Sequence, residues 1–122
     1  MIDHVIWILA LLSAKHCYVD FFIQTNEEVA QKGTYGARAG IMHSFKHGVA
    51  TVIALLLCSI SLLDTLLLGL LDAVVHYHID WAKININKRN DLTPANIEFW
   101  HWLGIDQMLH AFTYLFIVWS LF

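Results

Sequence analysis

Four apolar stretches separated by polar connections run along the chain, and each is close to the length of a membrane-spanning helix. These stretches cover approximately residues 2–24, 40–63, 65–82 and 105–122. A helix needs about 20 predominantly apolar residues to cross the hydrocarbon core of a bilayer. Before the fourth stretch, polar residues such as Asn96 and Glu98 interleave with aromatic residues such as Trp100, which is typical of an amphipathic helix at the membrane interface. The pattern predicts an all-α fold: an integral membrane four-helix bundle, with a short amphipathic interfacial helix before the last span.

The composition agrees with a membrane location. Of the 122 residues, 58% are hydrophobic and only 14% are charged, whereas a soluble domain has about 25% charged residues. Such a chain cannot cover a water-facing surface with polar groups, and its length leaves room for a single transmembrane domain, 1–122. The net charge of -3, without a dense basic patch, gives nucleic-acid binding no support. The lipid bilayer is the expected partner, and a homo-oligomer or a complex with a host membrane protein stays open.

The basic residues predict the orientation of the spans. Those in the connections after the first and third stretches are Lys32, Arg38, Lys83, Lys88 and Arg89. The turn between the second and third stretches carries no Lys or Arg, and neither do the two termini. Because cytoplasmic loops of membrane proteins are enriched in Lys and Arg, these two connections are predicted to be cytoplasmic and both termini periplasmic.

Ionisable side chains recur at a spacing of four residues within each apolar stretch. The spaced groups are His16, Asp20 and Gln24; His43 and His47; Asp72, His76 and Asp80; and Asp106 and His110. Residues four apart lie on the same face of a helix, so each stretch presents its polar groups as one stripe. The stripes come late in the first and third stretches and early in the second and fourth, which places all of them toward the cytoplasmic side. We therefore expect four helices to form the walls of one polar site.

The residue types in these stripes are typical of a metal site. An ionisable side chain in lipid costs several kcal/mol unless it is paired, hydrated or bound to a metal. The predicted ligands are His16, Asp20, His43, His47, His76, Asp80, Asp106 and His110. Imidazole nitrogen and carboxylate oxygen suit zinc, manganese and iron, so one or two divalent ions are predicted, with zinc as the first choice. Gln24 and Asp72 are expected to hydrogen-bond to these ligands. Hydrogen bonding between helices without a metal is the alternative use of such groups.

A metal-dependent hydrolase is the function that this site predicts. A divalent ion with an open coordination position acidifies bound water and makes it a nucleophile. Asp20, Asp80 and Asp106 are the candidate catalytic carboxylates, because one that is not needed as a ligand can act as a general base. The expected substrate is a lipid-linked ester or phosphoester that approaches from the cytoplasmic leaflet. Lys46, one turn from His43, either binds its phosphate or extends to the lipid headgroups.

Two other functions stay open at this point. A metal or proton carrier would use the same ligands as a transit site, but the far halves of the helices, such as 49–63 and 115–122, contain no charged residue along which a pathway could run. A non-enzymatic phage or bacterial membrane effector would use the polar cluster only as structure.

Four sequence blocks resemble a family of small phage and bacterial membrane proteins, catalogued as domain of unknown function 3307. The blocks are HCYVDFFIQT (16–25), HSFKHG (43–48), HYHIDWAK (76–83) and DQMLH (106–110). They occur in the order of the family and extend from the first span to the last. The resemblance implies a four-helix integral membrane protein, and it adds two candidates: Gln107 beside the ligands and Lys83 for substrate binding. The bacterial inner membrane is the expected location. The resemblance implies no reaction, since the activity of the family is not established.

Overall fold

The computed structural model describes all 122 residues, and every regular element is a helix. The five α-helices are α1 (Ile2–Cys17), α2 (Asn26–Gln31), α3 (Arg38–Leu57), α4 (Leu62–Arg89) and α5 (Ile97–Leu121). A π-helical turn, Tyr18–Phe22, directly continues α1. The prediction of an all-α fold is confirmed.

Three helices are long and apolar enough to cross a membrane: α1 together with its π-helical turn (Ile2–Phe22), α3 and α4. Large apolar side chains are exposed along them, including Trp7, Leu57 and Leu70. Water-soluble monomers rarely expose extensive contiguous apolar surface. These helices therefore indicate a protein that associates with a membrane.

The last helix is continuous, so the prediction of a separate interfacial helix before the last span is wrong. α5 begins at Ile97 and runs through Gly104 to Leu121. A glycine in a helix interior costs only about 1 kcal/mol relative to alanine, which is too little to end a helix by itself. Asp106 and His110 consequently lie near the middle of α5, and this helix is not among the three that are long and apolar enough to cross a membrane.

The turn between α3 and α4 lies earlier than the sequence pattern indicates. α3 ends at Leu57 and α4 begins at Leu62, whereas the predicted second span reached residue 63. The Ser61 hydroxyl accepts a hydrogen bond from the Asp64 backbone N–H at 3.2 Å, and this cap sets the start of α4. α4 then continues to Arg89, past the predicted end at residue 82, because basic residues in its last turn interact favourably with the helix dipole.

The four long helices pack in a closed cycle, in which α1 and α4 each contact both α3 and α5. α3 and α4 approach closely where Gly48 faces Gly69, since a Cβ atom on Gly48 would lie 2.7 Å from the Gly69 carbonyl oxygen. One half of the interior is an apolar core that includes Ile8, Leu12 and Leu55. The other half contains the polar stripes, and α2 packs against α3 beside it. The fold thus separates an apolar half from a polar half.

Candidate metal centre

Five imidazole rings from four helices meet in the polar half. They belong to His16, His43, His47, His76 and His110, none of which is more than 8% exposed. The rings of His47 and His76 stack with centroids 3.5 Å apart, and the centroids of His76 and His110 are 4.2 Å apart. The His16 centroid lies 4.9 Å from that of His110. The structure therefore brings all of the histidines in the predicted stripes into one cluster.

The π-helical turn lets the first helix supply both His16 and Asp20. His16 lies at the end of α1, and Asp20 lies in the middle of Tyr18–Phe22. Asp20 Oδ2 lies 3.1 Å from His16 Nε2, while Oδ1 of the same carboxylate faces His47 on α3. A π-helical turn is wider than an α-helical turn, and such turns occur frequently at functional sites. One carboxylate thereby reaches histidines of two helices.

Asp20 and Asp80 each contact several imidazole nitrogens. Asp20 Oδ1 lies 2.8 Å from His47 Nε2 and 3.1 Å from His43 Nε2. Asp80 Oδ2 lies 3.3 Å from His76 Nε2 and 3.4 Å from His43 Nε2. The Nε2 atoms of these histidines therefore face the space between the two carboxylates.

His110 lies between Asp80 and Asp106. Its Nε2 atom is 3.4 Å from Asp80 Oδ1 and 3.6 Å from Asp106 Oδ1. The other oxygen of Asp106 accepts a hydrogen bond from the Gln107 amide at 3.0 Å and lies 3.1 Å from Lys83 Nζ. Both residues that the family resemblance added are therefore in contact with Asp106.

Three sets of side chains have ligand atoms that all lie within 4.8 Å of one another, close enough to share an ion. The sets are Asp20, His43, His47 and His76; His16, His76 and His110; and Asp80, Asp106 and His110. Together they contain all eight predicted ligands. Because His76 and His110 each belong to two sets, the sets are parts of one cluster and not three separate sites.

Several buried polar atoms of this cluster have no hydrogen-bond partner. They are both ring nitrogens of His43 and of His76, His110 Nε2, Asp80 Oδ2 and Asp106 Oδ1. Buried polar atoms are almost always hydrogen-bonded, so a concentration of unsatisfied atoms calls for a specific cause. These nitrogen and oxygen atoms are ligands of divalent transition metals, and an ion would satisfy them without further protein contacts. The residues present thus fit a metal ion.

Four lysine side chains border the cluster, and each is paired with a carboxylate. They are Lys15, Lys32, Lys46 and Lys83. Lys32 Nζ lies 3.4 Å from Asp80 Oδ2. Lys46 donates a hydrogen bond to Glu28 Oε1 at 2.5 Å. Lys83 and Lys32 therefore contact predicted ligands. Lys46, which was expected either to bind a phosphate or to extend to the lipid headgroups, contacts Glu28.

Glu28 is a site residue that the sequence pattern did not predict. Its side chain is buried, and its Oε2 atom lies 3.6 Å from His43 Nδ1. Burial opposes ionisation of Glu28, but the hydrogen bonds from Lys46 and from the Thr25 backbone, together with the charge of Lys46, outweigh this effect and hold the pKa of the carboxyl below its ordinary value. Glu28 also forms a capping box with Thr25 at the start of α2. The spacing Thr-x-x-Glu could have indicated this residue, since it is typical of a capping box, in which the glutamate lies at the N-terminus of a helix.

Asp72 and Lys15 form a buried ion pair beside the cluster. Asp72 was expected to hydrogen-bond to a ligand, but Asp72 Oδ2 instead accepts hydrogen bonds from Lys15 Nζ at 2.5 Å and from Thr51 Oγ1 at 2.6 Å. Lys15, which the sequence analysis missed, also lies 3.3 Å from His47 Nδ1. Lys15 follows the buried Leu12 by three residues, and this helical spacing was the signal that it faces the interior.

Tyr114 was missed as well, and it contacts His16. The Tyr114 hydroxyl lies 2.8 Å from His16 Nδ1, and Gln107 Oε1 lies 3.3 Å from His16 Nε2. Tyr114 follows His110 by four residues and so extends the stripe on α5 by one turn. Gln24, expected to hydrogen-bond to a ligand, donates only to the backbone oxygen of Asp20, at 2.9 Å.

An all-helical, apolar protein with a buried cluster of histidine and aspartate is the class that this fold and site define. The chain belongs to the family described as "Protein of unknown function (DUF3307)", which matches residues 8–122. The resemblance read from the four sequence blocks is thus confirmed. No curated protein and no solved structure matches the chain.

Proposed function

We propose that the protein is an integral membrane four-helix bundle whose histidine and aspartate cluster binds one or two divalent metal ions, with zinc as the first choice. The observation that carries this proposal is the convergence of eight predicted ligands from four helices, several with no hydrogen-bond partner. Polar side chains that merely hold membrane helices together would be expected to hydrogen-bond to one another. Unsatisfied nitrogen and oxygen atoms that lie within 4.8 Å of one another favour an ion instead.

The proposed location is the bacterial inner membrane, with the metal centre near the cytoplasmic face. α5 is proposed as the fourth span, beside α1, α3 and α4. The support for the orientation is the distribution of basic residues, which the positive-inside rule relates to the cytoplasmic side. A substrate would then reach the centre from the cytoplasmic leaflet.

The charge of the cluster favours an anionic substrate. The carboxylates are the partly buried Asp20 and the buried Glu28, Asp72, Asp80 and Asp106, and the ammonium groups paired with carboxylates are Lys15, Lys32, Lys46 and Lys83. With neutral imidazoles, the carboxylates outnumber the ammonium groups by one. A divalent ion would therefore leave the centre with a net positive charge, which attracts a phosphoester more strongly than a neutral ester.

Hydrolysis of a lipid-linked phosphoester is the reaction that we assign to this centre. A divalent ion supplies Lewis acidity and lowers the pKa of water. For an ion held by the set that contains Asp20 and His43, Asp106 is assigned as the general base, because it lies outside that set and its buried Oδ1 atom has no hydrogen-bond partner. The water oxygen forms a bond to phosphorus while its proton passes to Asp106. The bond from phosphorus to the alcohol oxygen breaks, and that oxygen takes up the proton from Asp106. The products are an alcohol and a phosphate group that now carries the oxygen of the water.

A metal carrier would use the same ligands but would also need a route to the opposite side of the membrane. On that side the interior is filled by the apolar core, in which Leu12, Leu55 and Ile117 are fully buried. The buried charged groups extend only as far as Lys15 and Asp72. A polar cluster confined to one side of an apolar core supports a hydrolase better than a transit site.

Elemental analysis of the detergent-purified protein, after it is offered zinc, manganese or iron, tests the metal centre. The wild type is expected to retain about one or two ions per chain, and His76→Gln and Asp80→Asn to lose them. His78→Gln is the matched control, because His78 lies on the same helix but is exposed. A wild type that binds none of these metals would overturn the proposal. Metal-loaded protein that does not hydrolyse lipid-linked phosphodiesters would overturn the hydrolase assignment alone.

A further inference from the structure

Each ring nitrogen of His47 has a charged partner, a carboxylate at one nitrogen and a lysine side chain at the other. Its Nε2 atom lies 2.8 Å from Asp20 Oδ1, and its Nδ1 atom lies 3.3 Å from Lys15 Nζ. Lys15 in turn donates to Asp72 at 2.5 Å, and Asp72 also accepts from Thr51. Lys15, Thr51 and Asp72 are buried, and His47 has no solvent exposure. Asp20 is partly buried. Hydrogen bonds therefore link Asp72 to Asp20 through Lys15 and His47.

The partners of His47 determine which of its nitrogens carries the proton. Lys15 is paired with the Asp72 carboxylate, and as an ammonium group it can only donate hydrogen bonds. His47 Nδ1 must then be the unprotonated nitrogen, and the N–H must be at Nε2, where it donates to Asp20. A flipped ring would place carbon atoms opposite both partners and lose both hydrogen bonds. The surroundings thus specify both the orientation and the tautomer of this ring.

The other histidines of the same set lack this constraint. The nearest charged group to His43 Nδ1 is the Glu28 carboxylate at 3.6 Å, which is an acceptor. His76 Nδ1 has no hydrogen-bond partner. Both rings can therefore carry their proton at Nδ1 and leave the Nε2 lone pair free for a metal ion, whereas His47 cannot.

Whether the Nε2 lone pair of His47 is free determines how many ligands its set provides. The set consists of Asp20, His43, His47 and His76. Four protein ligands close the tetrahedral shell of zinc, as in structural sites, whereas catalytic sites have three protein ligands and one open position. Without His47 the set has three. The geometry points to a positioning role for His47: the buried Lys15–Asp72 pair holds it as a hydrogen-bond donor that orients Asp20, and keeps one coordination position open. This inference rests on the proposed metal centre.

Zinc affinities of matched glutamine variants test the positioning role. In His47→Gln the carboxamide N–H can still donate to Asp20, so zinc affinity is expected to fall by no more than about tenfold, the lower end for losing a residue that orients a ligand. His47→Ala removes the donor and is expected to cost about 10–100-fold. His43→Gln and His76→Gln remove ligands and are expected to cost more than His47→Ala. A loss in His47→Gln as large as that in His76→Gln would overturn the inference.

The tautomer of His47 can be read in the metal-free protein, which separates this inference from the proposed function. Nitrogen-15 NMR of histidine-labelled protein in detergent is expected to show His47 protonated at Nε2 only. The double variant Lys15→Met/Asp72→Leu removes the constraint together with its counter-charge and is expected to populate both tautomers. If this double variant does not fold, the spectrum of the wild type alone tests whether His47 is protonated at Nε2. A proton at Nδ1 of His47 in the wild type would refute the inference even if the protein binds zinc. Absence of zinc binding would refute the proposed function, and the NMR spectrum would still test the predicted tautomer.

Discussion

The rings of His47 and His76 stack at a centroid distance of 3.5 Å although they belong to α3 and α4. The residue after His47 is Gly48, and a Cβ atom there would lie 2.7 Å from the Gly69 carbonyl oxygen and 3.0 Å from the Ala73 side chain. Two helices can approach this closely only where side chains are missing, as is common between membrane helices. The absence of a side chain at Gly48 is therefore a condition for the contact between the two histidines.

We expect Gly48→Ala to destabilise the protein by about 1–3 kcal/mol, the usual cost of overpacking. The added methyl group meets the backbone of α4, so the helices must move apart and the His47–His76 stack must widen. Unfolding in detergent measures the loss of stability, and zinc titration of the folded variant is expected to show weaker binding.

Gly104→Ala is the matched control for this substitution. No atom lies within 4 Å of a Cβ at Gly104, which is exposed within α5. Alanine is favoured over glycine in a helix interior by about 0.5–1 kcal/mol, so this variant is expected to be slightly more stable than the wild type. If both alanine variants changed stability in the same direction, the close approach at Gly48 would not be the cause of its effect.

Removal of metal is expected to lower the stability of the wild type. A ligand that binds only the folded state stabilises it by about 2.7 kcal/mol at a concentration of 100 times its dissociation constant. A chelator should therefore lower the unfolding temperature of zinc-loaded protein, and added zinc should restore it. His76→Gln, which lacks a ligand shared by two of the three sets, is expected to respond much less. An equal response of the variant would place the stabilising ion elsewhere.

The buried pair of Lys15 and Asp72 predicts a strongly non-additive double-mutant cycle. Asp72→Asn leaves the Lys15 charge without a counter-ion in the interior and is expected to cost about 3–5 kcal/mol. Lys15→Met/Asp72→Leu removes both charges and is expected to cost much less, because replacing a buried pair by apolar residues is often nearly neutral. Chemical or thermal unfolding of the single and double variants in detergent measures the cycle. Additive costs would mean that the two side chains do not interact.

Many side chains of the metal centre could be predicted because their spacing along a helix indicates which of them lie on the same face. The pairs His43–His47 and Asp106–His110 do point into one interior, as a spacing of four requires. The partners across helices could not be predicted in this way. Lys15 reaches Asp72 over 57 positions of the chain, and that contact depends on how α1 packs against its neighbours. Spacing within one helix contains no information about such contacts.

Helix boundaries were less predictable than the helices themselves. Polar residues at Asn96 and Glu98 indicated a separate interfacial helix, but backbone hydrogen bonding continues through Gly104 in a single α5. Hydropathy indicates which part of a segment contacts lipid, but it does not indicate where the helix ends. A helix can pass from the interface into the bilayer without a break. The π-helical turn at Tyr18–Phe22 was also not predicted, because no single residue type specifies it.

Glu28 is expected to stabilise α2 against the bundle in a pH-dependent manner. Glu28→Gln should cost about 1–3 kcal/mol at neutral pH, because the charged hydrogen bond to Lys46 is lost. The folded pKa of Glu28 lies below its ordinary value of 4.5. Its contribution is therefore complete above that value and is lost as the pH falls through the folded pKa. Unfolding temperatures of wild type and variant should differ at pH 7 and converge in acid. A constant difference would exclude ionisation as the cause.

The proposed orientation predicts opposite accessibility for two single cysteines placed at the ends of α4. In a background with Cys17→Ala and Cys58→Ala, Ser59→Cys lies in the turn before α4 and Asn90→Cys directly after it. Because basic residues favour the cytoplasmic side, Ser59→Cys is expected to react with a membrane-impermeant maleimide in intact spheroplasts, and Asn90→Cys only after the membrane is opened. The reverse pattern would place the metal centre at the periplasmic face. Labelling of both positions in intact spheroplasts would mean that α4 does not cross the membrane.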